Sequence, residues 1–145
     1  MDKWISGSLL QILRLEIKSV MGYHKLSELK VWQKARLFRK AISSLTKTLP
    51  KEEKYKLVDQ IIRSSRSVTA NISEGHGRFH YQENIQYCRM SRGSLIETYD
   101  HLTVALDETY ITREVFEKLK IDLEEIEKML NGYITYLVKQ KNNGK

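Results

Sequence analysis

Gln60-Ile61-Ile62-Arg63-Ser64-Ser65-Arg66-Ser67-Val68-Thr69-Ala70-Asn71-Ile72-Ser73-Glu74-Gly75-His76-Gly77-Arg78 reads as an amphipathic helix that carries two arginines and stops at glycine. Leu57, Ile61, Ser64 or Ser65, Val68 and Ile72 recur at spacings of three and four, which puts them on one helical face. The stretch is too polar for a simple core helix and too regular for a loop. Glu52 and Glu53 sit at its start, where negative charge suits the helix dipole. Gly75 is the expected stop, because glycine tolerates the left-handed conformation at a helix end.

The same rhythm continues on both sides. Leu29, Trp32, Ala35, Phe38, Ile42, Leu45 and Leu49 mark a first helix over about 27–48, with Ser27 as its expected N-cap and Pro50 beyond its end. Ile85, Cys88, Leu95, Tyr99, Leu102 and Leu106 mark a third over about 81–108. Phe116, Leu119, Leu123, Ile126, Leu130, Tyr133 and Leu137 mark a fourth over about 112–139, capped by Thr112. No strand pattern of comparable length competes. Four amphipathic helices on short links must bury their stripes against one another. The expected fold is all-α, an antiparallel up-down-up-down four-helix bundle over 23–140. Residues 1–22 are expected to be an N-terminal extension, helical or disordered, with Met21 as a second candidate start. Residues 141–145 are expected to be a disordered tail.

Composition narrows the function classes. The chain has 145 residues, 41% hydrophobic and 30% charged, with one proline, which fits a single soluble domain. Cys88 is the only cysteine, so no intramolecular disulfide and no cysteine zinc site can form. A reducing cytoplasm is the expected compartment. The stretch Trp4–Leu13 is too short and too closely followed by Arg14 and Glu16 to span a membrane.

No catalytic constellation emerges, and the chain is expected not to be an enzyme. Bundle di-iron sites need glutamate three residues before histidine, and His24, His76, His80 and His101 are preceded there by Met21, Ser73, Gly77 and Thr98. No metal and no cofactor is expected. Ser67 and Ser94 have no histidine at a helical neighbour position, and no phosphate-cradling glycine loop occurs.

Charge is the remaining signal. The net charge is +7, with 18 Lys+Arg against 8 Asp+Glu in residues 1–92 and 7 against 10 after that. Such asymmetry points to an anionic partner for the first part of the chain. The candidate nucleic-acid contacts are Lys34, Arg36, Arg39, Lys40, Arg66, Arg78 and Arg89. The aromatics Phe79, Tyr81 and Tyr87 lie near two of them and either stack bases or fill a core or subunit contact. Arg63, Asn71, Glu74, Arg92 and Glu97 fall on or beside inner stripes and are expected to form a polar seam. Arg63 and Arg92 would there pair with Glu97 and Glu74. Gly93 and Ser94 are small enough to let the second and third helices approach.

Several separated runs carry a family resemblance. They are Leu26-Ser27-Glu28-Leu29-Lys30-Val31-Trp32-Gln33-Lys34-Ala35, Ala70-Asn71-Ile72-Ser73-Glu74-Gly75, Arg92-Gly93-Ser94-Leu95-Ile96-Glu97 and Ala105-Leu106. In that order they resemble the proteins encoded in intervening sequences of bacterial 23S ribosomal RNA genes. The resemblance covers about Tyr23 to Leu137 and implies a four-helix bundle that assembles as a ring-like homopentamer. It also implies RNA or DNA as a partner. A more distant similarity is to the accessory protein of diversity-generating retroelements, which partners a reverse transcriptase. That family generally lacks the Asn-Ile-Ser-Glu-Gly run. His80 and Asn84 depart from the first family, where serine and phenylalanine are usual near those positions. The third helix is therefore expected to be capped differently and to lose a local contact.

Overall fold

The computed structural model describes residues 7–11 and 25–144. Four long helices dominate: α1 Lys30–Thr46, α2 Leu57–Gly77, α3 Tyr81–Asp107 and α4 Arg113–Asn143. Short 3-10 turns, Leu26–Glu28 and Lys51–Glu53, precede α1 and α2. No strand occurs among the described residues. Residues 7–11 are helical. The rest of the expected extension over 1–22 lies outside the described residues.

Each helix packs on the next, and α1 closes on α4. Ser64 meets Thr98, Val68 meets Ser91 and Gly75 meets Asn84, so α2 and α3 run in opposite directions. Asn84 meets Tyr133 and Tyr99 meets Phe116, so α3 and α4 do the same. The stripes read from periodicity form the core. Ile42, Ile61, Ile72, Leu95, Leu102, Ile126 and Leu130 are almost entirely buried. Each contributes about 1.5–3 kcal/mol of transfer free energy, which is what holds the helices together.

The helix ends differ from expectation in four places. Ser27 is not the cap of α1; it lies in the preceding 3-10 turn, and its carbonyl accepts from Gln33 Nε2 at 2.6 Å. The chain after Pro50 forms a 3-10 turn before α2 begins at Leu57, whose N–H donates to Glu53 Oε2 at 3.1 Å. Gly75 does not stop α2, which continues to Gly77. The left-handed residue is Phe79, with φ 52°. At the other end α4 runs on through Asn143, so residues 141–143 belong to the helix, and Lys141 Nζ donates to Gln82 Oε1. Lys145 lies outside the described residues.

The α2–α3 seam is polar, but not in the expected way. Arg63 points to solvent and pairs with Asp59 at 3.3 Å, one turn away on its own helix. Arg92 Nη1 donates to Asn131 Oδ1 on α4 at 2.8 Å. Glu74 pairs with Arg78, and Glu97 lies beside His101. No charge crosses the seam between these residues. A buried ion pair must recover a large desolvation cost, and these side chains reach water more cheaply on their own helices. Hydroxyls fill the seam in their place. Thr98 Oγ1 donates to Ser64 Oγ at 2.8 Å, and Ser91 Oγ donates to the Val68 carbonyl at 2.7 Å. Asn71 is half-buried, and its Nδ2 donates to the Ser67 carbonyl on its own helix. Ser94 offers its carbonyl to Thr98 at 2.9 Å. Gly93 faces solvent with open space around it, so it is no packing glycine. That role belongs to Gly75, where a Cβ would lie 2.8 Å from Asn84 Oδ1 and from Tyr87 Cβ.

Candidate nucleic-acid interface

Helix α1 carries five cations, Lys30, Lys34, Arg36, Arg39 and Lys40, and no carboxylate. Its apolar stripe of Val31, Ala35, Phe38 and Ile42 is buried, so the cations fall on its flanks and outer face. On the side toward α2, Trp32 and Arg39 face Arg66, Thr69, Ala70 and Ser73 across a shallow groove of about 490 Å³.

The groove's cations are held in different ways. Arg39 Nη1 donates to Thr69 Oγ1 at 2.9 Å, and that hydroxyl donates to the Arg66 carbonyl at 3.1 Å. This ties one edge of the Arg39 guanidinium to α2 and leaves its other donors for a ligand. Arg36 sits one turn beyond Trp32, with its guanidinium carbon 5.8 Å from the indole centroid. Arg66 and Lys40 are exposed. Among the described residues Arg36, Arg39, Lys40 and Arg66 make no ion pair. Arg39 and Arg66 line the groove beside Trp32 with no carboxylate, and Arg36 and Lys40 extend the charge over the outer face of α1, a local positive field suited to a polyanion.

The other candidate contacts do not join this cluster. Lys34 turns the opposite way and pairs with Glu125 of α4 at 2.8 Å; that hydrogen bond holds its ammonium more firmly protonated. Arg78 is held at the end of α2. It donates to Glu74 Oε1 at 2.8 Å and to Tyr87 Oη at 2.9 Å, and lies over the Tyr87 ring. Its charge is largely met within the bundle. Tyr87 is therefore half-buried structure and not a free stacking surface. Arg89 is exposed on α3, away from the α1–α2 groove. Among the described residues no group of three or more His, Cys, Asp or Glu is placed to hold a metal ion, and no helix is long and apolar enough to cross a membrane.

The family model for the 23S rRNA-intervening sequence protein matches residues 27–132. The chain belongs to that family. A solved structure of a protein of unknown function from the S23 ribosomal protein family of Bacteroides thetaiotaomicron is 32% identical, with a TM-score of 0.67. The similarity covers 72% of this chain and 97% of that one. No curated protein matches the chain.

Within the family frame, the two departures read from sequence have physical outcomes. His80 still caps α3: its Nδ1 accepts from the Glu83 N–H, at a long 3.4 Å. Asn84 is buried and bonded, with Nδ2 donating to Tyr133 Oη at 3.2 Å and Oδ1 accepting from the Cys88 thiol at 3.5 Å. Trp32 is the residue the sequence reading underused. It shares the apolar stripe, which hides its place at the groove. The available signal was Arg36 four residues on, the spacing that brings a cation over a ring on a helix.

Proposed function

We propose that this family member is a non-enzymatic, homo-oligomeric cytoplasmic bundle that binds the backbone of RNA or DNA through its α1–α2 face. The observation that carries this reading is a groove lined by Arg39 and Arg66 and by no carboxylate, with Arg36 and Lys40 adding charge on the neighbouring outer face of α1. Phosphate neutralisation by such a cluster releases counterions, gives affinity with little sequence reading, and needs no catalytic group. Self-assembly, as a pentamer on the family resemblance, would repeat the same patch around a ring and multiply weak contacts.

The test is binding of labelled RNA and DNA at several salt concentrations. Log affinity is expected to fall linearly with log salt. Absence of binding to either polymer at low salt would overturn the reading. Sedimentation of the purified chain tests the assembly separately, and a monomer would refute it.

A second reading has its own observation. A groove of about 510 Å³ between α3 and α4 is lined by Ile96, Tyr99 and Leu123, with Lys120, Lys128, Glu124 and Glu127 around them. An apolar groove with a rim of both charges suits a protein partner, as in an adaptor subunit of a reverse transcriptase. Binding of that kind would respond weakly to salt and would be lost on Ile96→Asp.

A further inference from the structure

We infer that Thr69 is a positioning residue for the nucleic-acid face: its hydroxyl fixes the Arg39 guanidinium so that a free edge can hold the two non-bridging oxygens of one backbone phosphate. The inference rests on the nucleic-acid reading above. It adds the group recognised and the residue that prepares the site for it.

The Thr69 hydroxyl is committed in both directions. Thr69 is 4% exposed on α2, and its Oγ1 donates to the Arg66 carbonyl at 3.1 Å. With that proton engaged, the oxygen offers α1 only lone pairs, and Arg39 Nη1 donates to it at 2.9 Å. The bond joins two helices, so it fixes the guanidinium against the bundle and not merely against its own backbone. A guanidinium carries five N–H groups in one rigid plane. With Nη1 tied, Nε and Nη2 still present a parallel pair along another edge, and neither makes a hydrogen bond among the described residues. Two parallel donors match two oxygens of a phosphodiester, whereas an ammonium meets them as a point charge.

The kind of anchor separates Arg39 from the other fixed cations. Arg78 and Lys34 are held by Glu74 and Glu125, which offset their charge in fixing them. Thr69 fixes Arg39 without offsetting anything, in a groove that no carboxylate lines and to which Arg66 adds a second cation. Arg92 is also held by a neutral group, Asn131 Oδ1 at 2.8 Å. Asn131, however, lines the α3–α4 groove, where a phosphate would meet Glu124 and Glu127. Thr69 lies next to buried Val68, at a position where valine would fill the same volume without a hydroxyl to satisfy. A side chain ordered before contact loses less entropy on binding than one that must be ordered by the ligand.

The experiment measures binding of a labelled single-stranded homopolymer RNA to the full chain at several salt concentrations. Thr69→Val is expected to weaken binding about two- to tenfold, the cost of ordering one long side chain. The slope of log affinity against log salt should not change, since no cation is removed. Thr69→Ser restores the hydroxyl and should bind within about twofold of the parent, on the same ordering scale. Arg39→Lys keeps the charge but loses the fork, so it should weaken binding with the slope unchanged. In an Arg39→Met background Thr69→Val should cost nothing further, because no guanidinium remains to orient; an equal loss there would make its effect structural and overturn the inference. Asn131→Ala, which frees Arg92, should bind as the parent does, and a loss matching that of Thr69→Val would overturn the inference too. If the parent binds and Thr69→Val binds equally well, Thr69 has no such role and the nucleic-acid reading stands. If the parent does not bind at low salt, both fall together.

Discussion

Gly75 and Gly93 look alike in the sequence and do opposite things in the bundle. A Cβ at Gly75 would meet Asn84 Oδ1 and Tyr87 Cβ at 2.8 Å and the Asn84 Cα at 3.2 Å, and a backbone atom cannot step aside as a side chain can. Gly75→Ala is therefore expected to push α2 from α3 and cost about 1–3 kcal/mol, read as a lower urea midpoint. Gly93→Ala meets nothing within 4 Å on an exposed helical turn and is expected to raise stability by about 0.5–1 kcal/mol in the same assay. Cys88 gives a second prediction. Burial pushes its thiol up from an ordinary 9.0 to about 12. The fold favours the neutral form, so this contribution to stability is complete below pH 9 and is lost as pH rises toward 12. The melting temperature should decline over that range, less so for Cys88→Ala. At pH 8 a thiol reagent should label Cys88 only after denaturant is added. None of these outcomes could be read from residue type, because each depends on what the neighbouring helix presents.

Helix existence and type were legible from periodicity, while helix ends were not. Most of the residues that repeat every three or four positions are buried, but Val31 and Ile134 join the core unread, while Leu29, Trp32, Leu45, Tyr99, Leu106 and Tyr133 are only partly buried at its edges. The ends depend on short hydrogen bonds that compete closely. Ser27 lost the cap of α1 to a 3-10 turn, whereas Thr112 caps α4 as read, accepting from the Val115 N–H at 3.2 Å. The end of α3 was open to sequence reading only in part. Thr109 takes φ 60°, and the Tyr110 N–H reaches back to the Ala105 carbonyl at 2.9 Å, a closure that usually employs glycine. Thr109→Gly is expected to stabilise the protein by about 0.5–1 kcal/mol, after the greater freedom of the unfolded chain is counted. A lower melting temperature for that variant would mean that the Thr109 hydroxyl, bonded to the Glu108 carbonyl at 2.6 Å, outweighs the strain.

For the whole molecule, the excess of positive charge was visible in the sequence, but its distribution was not. Seven cations were candidates on charge alone. The bundle separates them, turning Lys34 to Glu125 and Arg78 to Glu74, leaving Arg89 on α3, bringing Arg39 and Arg66 together in one groove and leaving Arg36 and Lys40 on the outer part of α1. If these four each neutralise one phosphate, the slope of log affinity against log salt for a single strand is about −3. Arg36→Gln with Arg66→Gln should bring it to about −1.4. Lys34→Gln should leave the slope unchanged, and an equal loss from that variant would show that the binding face lies elsewhere.

The sequence by itself determined the helices, their apolar faces and the family, because helical period and short motifs are properties of neighbours along the chain. Only the tertiary structure decided which charges are neutralised and which remain open, and that hydroxyls, not ion pairs among Arg63, Glu74, Arg92 and Glu97, fill the middle of the α2–α3 seam. Those outcomes turn on distances between residues some thirty or more positions apart, such as Ser64 to Thr98 and Arg39 to Thr69, which packing alone fixes.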